Sequence, residues 1–201
     1  MRYAMVIDLL RCVGCGSCSV ACRAEKGTPG AISFNHVKIC ETGKYPAARM
    51  RFLPMSCMHC KAPKCLEVCP TEATYKRDDG LVLIHTDLCI GCGACVAACP
   101  YGSRELLREI KSLYDGQLPT PYEALKQKDF REGTAVKCDF CKSRLKKGRL
   151  PACVETCPAQ ARFFGDVEDT ESEVYQLITT HQPISLDEDQ ETEPSVFYIR
   201  G

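Results

Sequence analysis

Residues 12–22 read CVGCGSCSVAC, which sets four cysteines within eleven residues. Thiols this crowded make poor disulfides, because a bridge needs separated backbones with converging Cβ vectors. A metal centre suits them better, and the other cysteines decide which. SCMHCKAPKCLEVCP carries Cys57, Cys60, Cys65 and Cys69 before Pro70. LCIGCGACVAACP carries Cys89, Cys92, Cys95 and Cys99 before Pro100. KCDFCKSRLKKGRLPACVETCP carries Cys138, Cys141, Cys153 and Cys157 before Pro158. Of seventeen cysteines, sixteen thus fall into four sets of four, and Cys40 stands outside.

The chain also repeats itself. VIDLLRCVGCGSCSVAC aligns without a gap on LIHTDLCIGCGACVAAC, 77 residues later, and CLEVCPTEA is echoed by CVETCPAQA. The order is A, B, A′, B′, as a duplicated unit would produce. Three thiolates at C-x2-C-x2-C can wrap one face of an inorganic cube. Gly14, Gly16, Gly91 and Gly93 let the backbone approach the sulfides at positive φ. The fourth cysteine, expected on a short helix, ligates the neighbouring cluster in two-cluster ferredoxins. Arg23 follows Cys22 where the other motifs have proline. Zinc ribbons use isolated C-x2-C pairs, without a third and fourth thiol nearby, and fit poorly. The residues predict [4Fe-4S] clusters.

Composition narrows the class further. The 201 residues suffice for one domain or two small ones, and without tryptophan or long aliphatic runs the core needs staples. A formal net charge of zero argues against a nucleic-acid binder. MRYAMVIDLLRC lacks a signal peptide's basic start and apolar run, and no stretch approaches the length of a membrane span. The cysteines are therefore expected to meet metal in a reducing compartment.

RYAMVID and GLVLIHTD read as strands leading into cluster loops, and VKICETG with MRFLPM as another short pair. Cys40, in one of these strands, reads as a small buried hydrophobe. His59 lies between two ligand candidates, suited either to hydrogen-bonding a sulfur or to packing. SRELLREIKSLYDG carries a helical stripe of Leu106, Leu107, Ile110, Leu113 and Tyr114, with Ser103 as N-cap and Gly116 as stop. PYEALKQKDFREG predicts a second short helix behind Pro121. KSRLKKGR puts five cations among eight residues, a solvated loop, a docking patch or a charge easing reduction nearby. TESEVYQLI predicts a helix capped by Thr170 and Glu173, SLDEDQETE a mobile acidic linker, and SVFYIR a last strand.

With four motifs in this order, residues 3–166 and the terminal SVFYIR resemble the electron-transfer (beta) subunit of dimethyl sulfoxide reductase-type molybdoenzymes. The resemblance implies an α+β fold of two ferredoxin-like modules, each holding a pair of [4Fe-4S] clusters. One module would comprise 1–28 and 136–168, the other 50–102. Residues 103–135 are expected to form an inserted helical segment, long for the family, and 169–201 a C-terminal helix, acidic linker and docking strand. In the family motif one pairs with four and motif two with three. Carried over, cluster one is held by Cys12, Cys15, Cys18 and Cys157, and cluster two by Cys138, Cys141, Cys153 and Cys22. Cluster three falls to Cys57, Cys60, Cys65 and Cys99, and cluster four to Cys89, Cys92, Cys95 and Cys69. Some nitrate-reductase relatives replace a motif-three cysteine by tryptophan, which this chain lacks, so four cubes are implied.

The chain shows no nucleophile–base pair and no phosphate-binding glycine loop, so it is expected to be non-catalytic by itself. The resemblance implies a relay of single electrons between a large molybdopterin (bis-MGD) catalytic subunit and a membrane quinone-reactive subunit or soluble donor. Substrate chemistry would belong to the partner's cofactor. A free polyferredoxin shuttling between soluble hydrogenases or dehydrogenases is the alternative. Lacking its own signal, the protein is expected in the cytoplasm or, exported folded with a signal-bearing partner, on the outer face of the cytoplasmic membrane.

Overall fold

A computed structural model describes residues 1–30, 32–114, 116–186 and 191–200. At its centre lies strand β1, Tyr3–Asp8, buried from Ala4 to Ile7. β1 pairs antiparallel with β8, Arg162–Asp166, and parallel with β9, Val196–Ile199, giving the order β8-β1-β9. The terminal SVFYIR therefore docks beside the first strand, as expected. Alternate side chains of β1 serve two cores. Ala4 and Val6 face helix α7, Glu173–His181, through Val174, whereas Met5 and Ile7 join the main core with Met58, Leu81, Phe140 and Tyr198.

Strands β2, Asn35–Thr42, and β3, Arg49–Ser56, pair antiparallel over eight residues each. The root of this ribbon is buried and its far half is exposed, which corrects the reading of Cys40. Cys40 lies opposite Arg51 on that far half and is exposed. Two smaller sheets follow: β4, Thr74–Lys76, with β5, Val82–Ile84, and β6, Glu105–Leu107, with β7, Thr134–Val136.

The helices carry the motifs. α1, Ser17–Lys26, spans ten residues, whereas α2, Lys64–Glu67, α3, Ala94–Ala97, and α6, Ala152–Glu155, are single turns. Proline explains the difference. A residue before proline avoids the helical region, so helices leading to Cys69-Pro70, Cys99-Pro100 and Cys157-Pro158 stop early. Arg23 imposes no such stop, and α1 continues to Gly27, whose φ of 62° closes it. Hence only Cys22 among the fourth cysteines sits on a helix. Cys69, Cys99 and Cys157 lie two residues beyond theirs, which corrects that expectation.

The inserted segment departs further from its periodicity. The helix expected from Ser103 to Gly116 does not form, since Glu105–Leu107 pairs with Thr134–Val136 instead. Leu107 is buried while Leu113 and Tyr114 are exposed, so the apolar stripe has no common face. Tertiary pairing here overrides helical pattern, and Ser103 uses its hydroxyl to donate to the Ser56 carbonyl rather than cap a helix. The second helix does form, as α4, Pro121–Lys126, with a Thr120–Glu123 capping box. It packs on α1: the Tyr122 hydroxyl bonds the Ala24 carbonyl, and Lys126 donates to that of Glu25 at 3.0 Å.

α5, Lys142–Leu145, occupies the cationic loop. One of its five cations is internal: Arg144 is buried and bonds Glu25 and Glu155. α7 begins later than expected. Ser172, not Thr170, is the N-cap, its hydroxyl accepting from the Tyr175 N–H at 3.1 Å. Of the acidic stretch, 187–190 lie outside the described residues. Its end is anchored, with Thr192 buried against Tyr101 and Glu193 paired to Lys61 at 2.8 Å, which corrects the reading of the whole as a mobile linker.

Candidate metal centres

The sixteen motif cysteines gather around four separate cavities, none lined by cysteines of a single motif. Cavity one is lined by Cys12, Cys15, Cys18 and Cys157. Cavity two is lined by Cys22, Cys138, Cys141 and Cys153. Cys57, Cys60, Cys65 and Cys99 line cavity three, and Cys69, Cys89, Cys92 and Cys95 line cavity four. In each, three thiols come from one motif and the fourth from another. Helix packing explains the exchange, since α1 lies on α6 and α2 on α3. A wider open groove beside Phe34, Lys128 and Arg131 is lined by no cysteine.

The cavities suit one kind of occupant. Their empty volumes, mouths included, are about 360, 330, 350 and 340 Å³ in numerical order. Among the described residues no three His, Cys, Asp or Glu side chains converge on a single ion, so the thiols ring a space instead of a point. Backbone N–H groups are aimed at several sulfurs, from Ala161 to Cys157 at 3.3 Å, Ala135 to Cys89 at 3.4 Å and Ser103 to Cys99 at 3.5 Å. Such bonds help set the potential of a thiolate-bound cluster. Gly14 and Gly91, at φ 68° and 69°, complete the cradle. A Cβ on either would strike its neighbour, the Phe52 ring or the Gly133 carbonyl oxygen.

Burial makes several of these thiols reluctant to ionise without iron. Burial pushes Cys60 up to about 12 and Cys141 up to about 11. Burial, then the neighbouring Cys153 and Cys141, carries Cys22 far above the usual range. Cys138 is raised by burial and by Cys22 and Cys57. Burial also opposes the Cys69 thiolate, but N–H groups of Thr74, Thr71 and Ala73 outweigh it and bring that group down. A bound cation cluster supplies what most of these thiolates lack.

Hydrogen bonds give the order of the cavities. Arg162 of cavity one bonds Asn35 of cavity two, and Lys137 bonds Cys138 of cavity two and Val82 of cavity three. Arg104 of cavity three bonds Thr74 of cavity four. Cys18 of cavity one acts on Cys153 of cavity two, and Cys57 of cavity three acts on Cys138 of cavity two. Arg104 faces Cys65 and Cys57 of cavity three and Cys95 of cavity four. The series runs one, two, three, four. At its middle His59 and Phe140, each third in a C-x2-C, stack with centroids 3.8 Å apart. His59 is buried, its Nδ1 accepts from the Val82 N–H at 3.1 Å, and burial drives its pKa well down. Packing is thus its observed role. At the two ends Cys15 and Cys92 are the exposed motif thiols. Val13 and Ile90 beside them are 60% and 67% exposed.

Sequence reading missed the buried cations. Arg104, Arg162 and Lys137 are 3%, 5% and 6% exposed. The two arginines could have been found, because each stands five residues after a motif's last cysteine, in CPYGSR and CPAQAR.

Cavities of this make, lined by thiols from paired motifs, define a ferredoxin-type protein carrying [4Fe-4S] clusters. Two family models described as 4Fe-4S dicluster domain match the chain, one over residues 48–112 and 103–167 and the other over 11–73. The selenate reductase B-subunit of Mesobacillus selenatarsenatis is 40% identical over 99% of this chain and 72% of its own length. The arsenate respiratory reductase iron-sulfur subunit ArrB of Shewanella sp. is 39% identical over 100% and 97%. The tetrathionate reductase B-subunit of Salmonella typhimurium is 38% identical over 98% and 72%. The chain belongs to the beta iron–sulfur subunits of dimethyl sulfoxide reductase-family molybdoenzymes. It is an electron-transfer subunit and not the catalytic one.

Proposed function

We propose that the chain is a four-cluster relay, with one [4Fe-4S] cluster in each cavity held by the four cysteines that line it. Cluster one takes Cys12, Cys15, Cys18 and Cys157; cluster two takes Cys22, Cys138, Cys141 and Cys153. Cluster three takes Cys57, Cys60, Cys65 and Cys99; cluster four takes Cys69, Cys89, Cys92 and Cys95. The observation that carries this reading is the lining of four similar cavities by four thiols apiece. Bound, such clusters supply one-electron carriers. The chain's own residues do the rest: thiols fix each site, aromatic and aliphatic side chains exclude water between sites, and N–H groups stabilise sulfur charge. The ferredoxin-like modules are then 1–28 with 136–168, and 50–102, with 103–135 bridging them.

The two ends of the series favour different neighbours. Exposed Cys15 with Val13, Leu10 and Val20 marks one end, and exposed Cys92 with Ile90 and Leu88 the other. A large bis-MGD catalytic subunit would dock at one, and a membrane anchor or soluble donor at the other. The relatives' names speak of selenate, arsenate and tetrathionate reductases, so an oxyanion-reducing respiratory partner fits best. Among the described residues no helix is long and apolar enough to cross a membrane. The complex is proposed to work at the cytoplasmic membrane, on the side set by its catalytic partner. Anaerobically purified complex should contain about sixteen iron and sixteen sulfide for each copy of this chain, beyond the partner's share. Stoichiometric zinc with little iron would overturn the reading.

A further inference from the structure

Each junction in the series of cavities holds one buried cation that, among the described residues, has no acidic partner. Arg162 lines cavity one, and its Nη2 donates to Asn35 Oδ1 at 3.0 Å, Asn35 itself lining cavity two. Its Nη1 meets the Met5 sulfur at 3.5 Å. Lys137 stands between cavities two and three, its Nζ donating to the carbonyls of Cys138, at 2.7 Å, and of Val82. Arg104 lines cavity three and donates from Nη1 to Thr74 Oγ1 at 3.0 Å, Thr74 lining cavity four. Its Nε and Nη2 are buried with no hydrogen-bond partner of good geometry.

These three differ from the cations that carboxylates hold. Arg144 bonds Glu25 and Glu155, and Lys26 bonds Asp139 at 2.6 Å. For Arg162, Lys137 and Arg104 the protein partners are neutral. A buried charge without a counter-charge is costly, so such positions call for an anion that no carboxylate provides. Cluster-bound thiolates would provide it. Burial opposes the charge of Arg104, yet Cys65, Cys57 and Cys95 more than offset it; for Arg162 Cys153 and Cys18 do the same.

We infer that Arg162, Lys137 and Arg104 raise the reduction potentials of the clusters on either side of each, one cation serving each junction. The inference rests on the ligand sets proposed above. A cube with four thiolates is anionic, and one added electron makes it more so. A fixed cation at low local dielectric stabilises that electron, since the Coulomb term grows as the surroundings lose water. Placed between two sites, it acts on both. The paired positions in CPYGSR and CPAQAR put the same device in both halves.

The test is an EPR-monitored redox titration of the assembled complex carrying Arg162→Gln, Lys137→Gln or Arg104→Gln. Clusters are assigned against cysteine-to-serine variants. Each substitution should lower the reduced-to-oxidised ratio of its two flanking clusters about tenfold at fixed potential, a downward shift of about 59 mV for a one-electron couple. The other two clusters should hold their midpoints. Arg104→Lys and Arg162→Lys, which keep the charge, should restore most of the loss. Unchanged midpoints in a fully iron-loaded variant would overturn the inference while leaving the ligand sets intact. Iron loss from both the Gln and Lys variants would make the cation structural and also overturn it. A wild-type complex without four cubes would instead defeat the ligand sets.

Discussion

Cavities three and four are lined by cysteines from one continuous stretch, Cys57 to Cys99, whereas one and two draw on Cys12–Cys22 and Cys138–Cys157. The continuous half is supported by short ribbons, β4–β5 and β6–β7. The divided half needs the β8-β1-β9 sheet, with α7 over one face. Closing a long loop costs entropy that must be offset elsewhere, and the buried run Ala4–Ile7 does so where the chain's two ends meet. Yet the halves share a core, because Met5 of one and Leu81 of the other belong to the same buried cluster around Phe140. Local ligand geometry is thus repeated, but the support is not.

The largest expected effect comes from breaking the exchange of fourth cysteines in each half. Cys157→Ser should disturb the cluster of Cys12, Cys15 and Cys18, and Cys99→Ser that of Cys57, Cys60 and Cys65. Iron should fall from about sixteen to about twelve, or to about fifteen if a three-iron cluster survives. The EPR signature of Cys99→Ser should match Cys60→Ser. A match to Cys92→Ser would show self-contained motifs and dissolve the division into halves.

Phe140→Ala should come next, since it removes the ring shared by both halves. Truncating a buried aromatic costs about 3–5 kcal/mol, and the His59 stack goes with it. Denaturant melts should show that loss, with clusters two and three perturbed together. Damage confined to cluster two would mean the halves are separable.

The smallest effect concerns the bridging segment. The Leu113 and Thr120 N–H groups hold the Glu123 carboxyl down at about 2, with the Thr120 and Ser112 hydroxyls adding to them. The folded value is depressed, so its contribution is complete above about 4.5 and lost as pH falls toward 2. At neutral pH Glu123→Ala should therefore speed amide exchange at Leu113 and Thr120 while leaving all cluster midpoints unchanged. A shifted midpoint would make this segment part of the relay.

Cysteine spacing by itself determined the chemistry, because C-x2-C-x2-C with a fourth thiol nearby leaves few other uses for sixteen cysteines. The β1 strand, α4 and the terminal strand were also legible, each from a local pattern that its tertiary setting reinforced. Residues 105–107 were not. A helical stripe there yields to pairing with Thr134–Val136, which brings the Ala135 N–H to Cys89. Cys40 read as buried because its ribbon looked like an interior pair, and only the tertiary structure shows its far half standing clear. The junction cations were visible as letters but not as a device. Their meaning depends on which cavities flank them, and that follows from packing α1 on α6 and α2 on α3, contacts that no local spacing encodes.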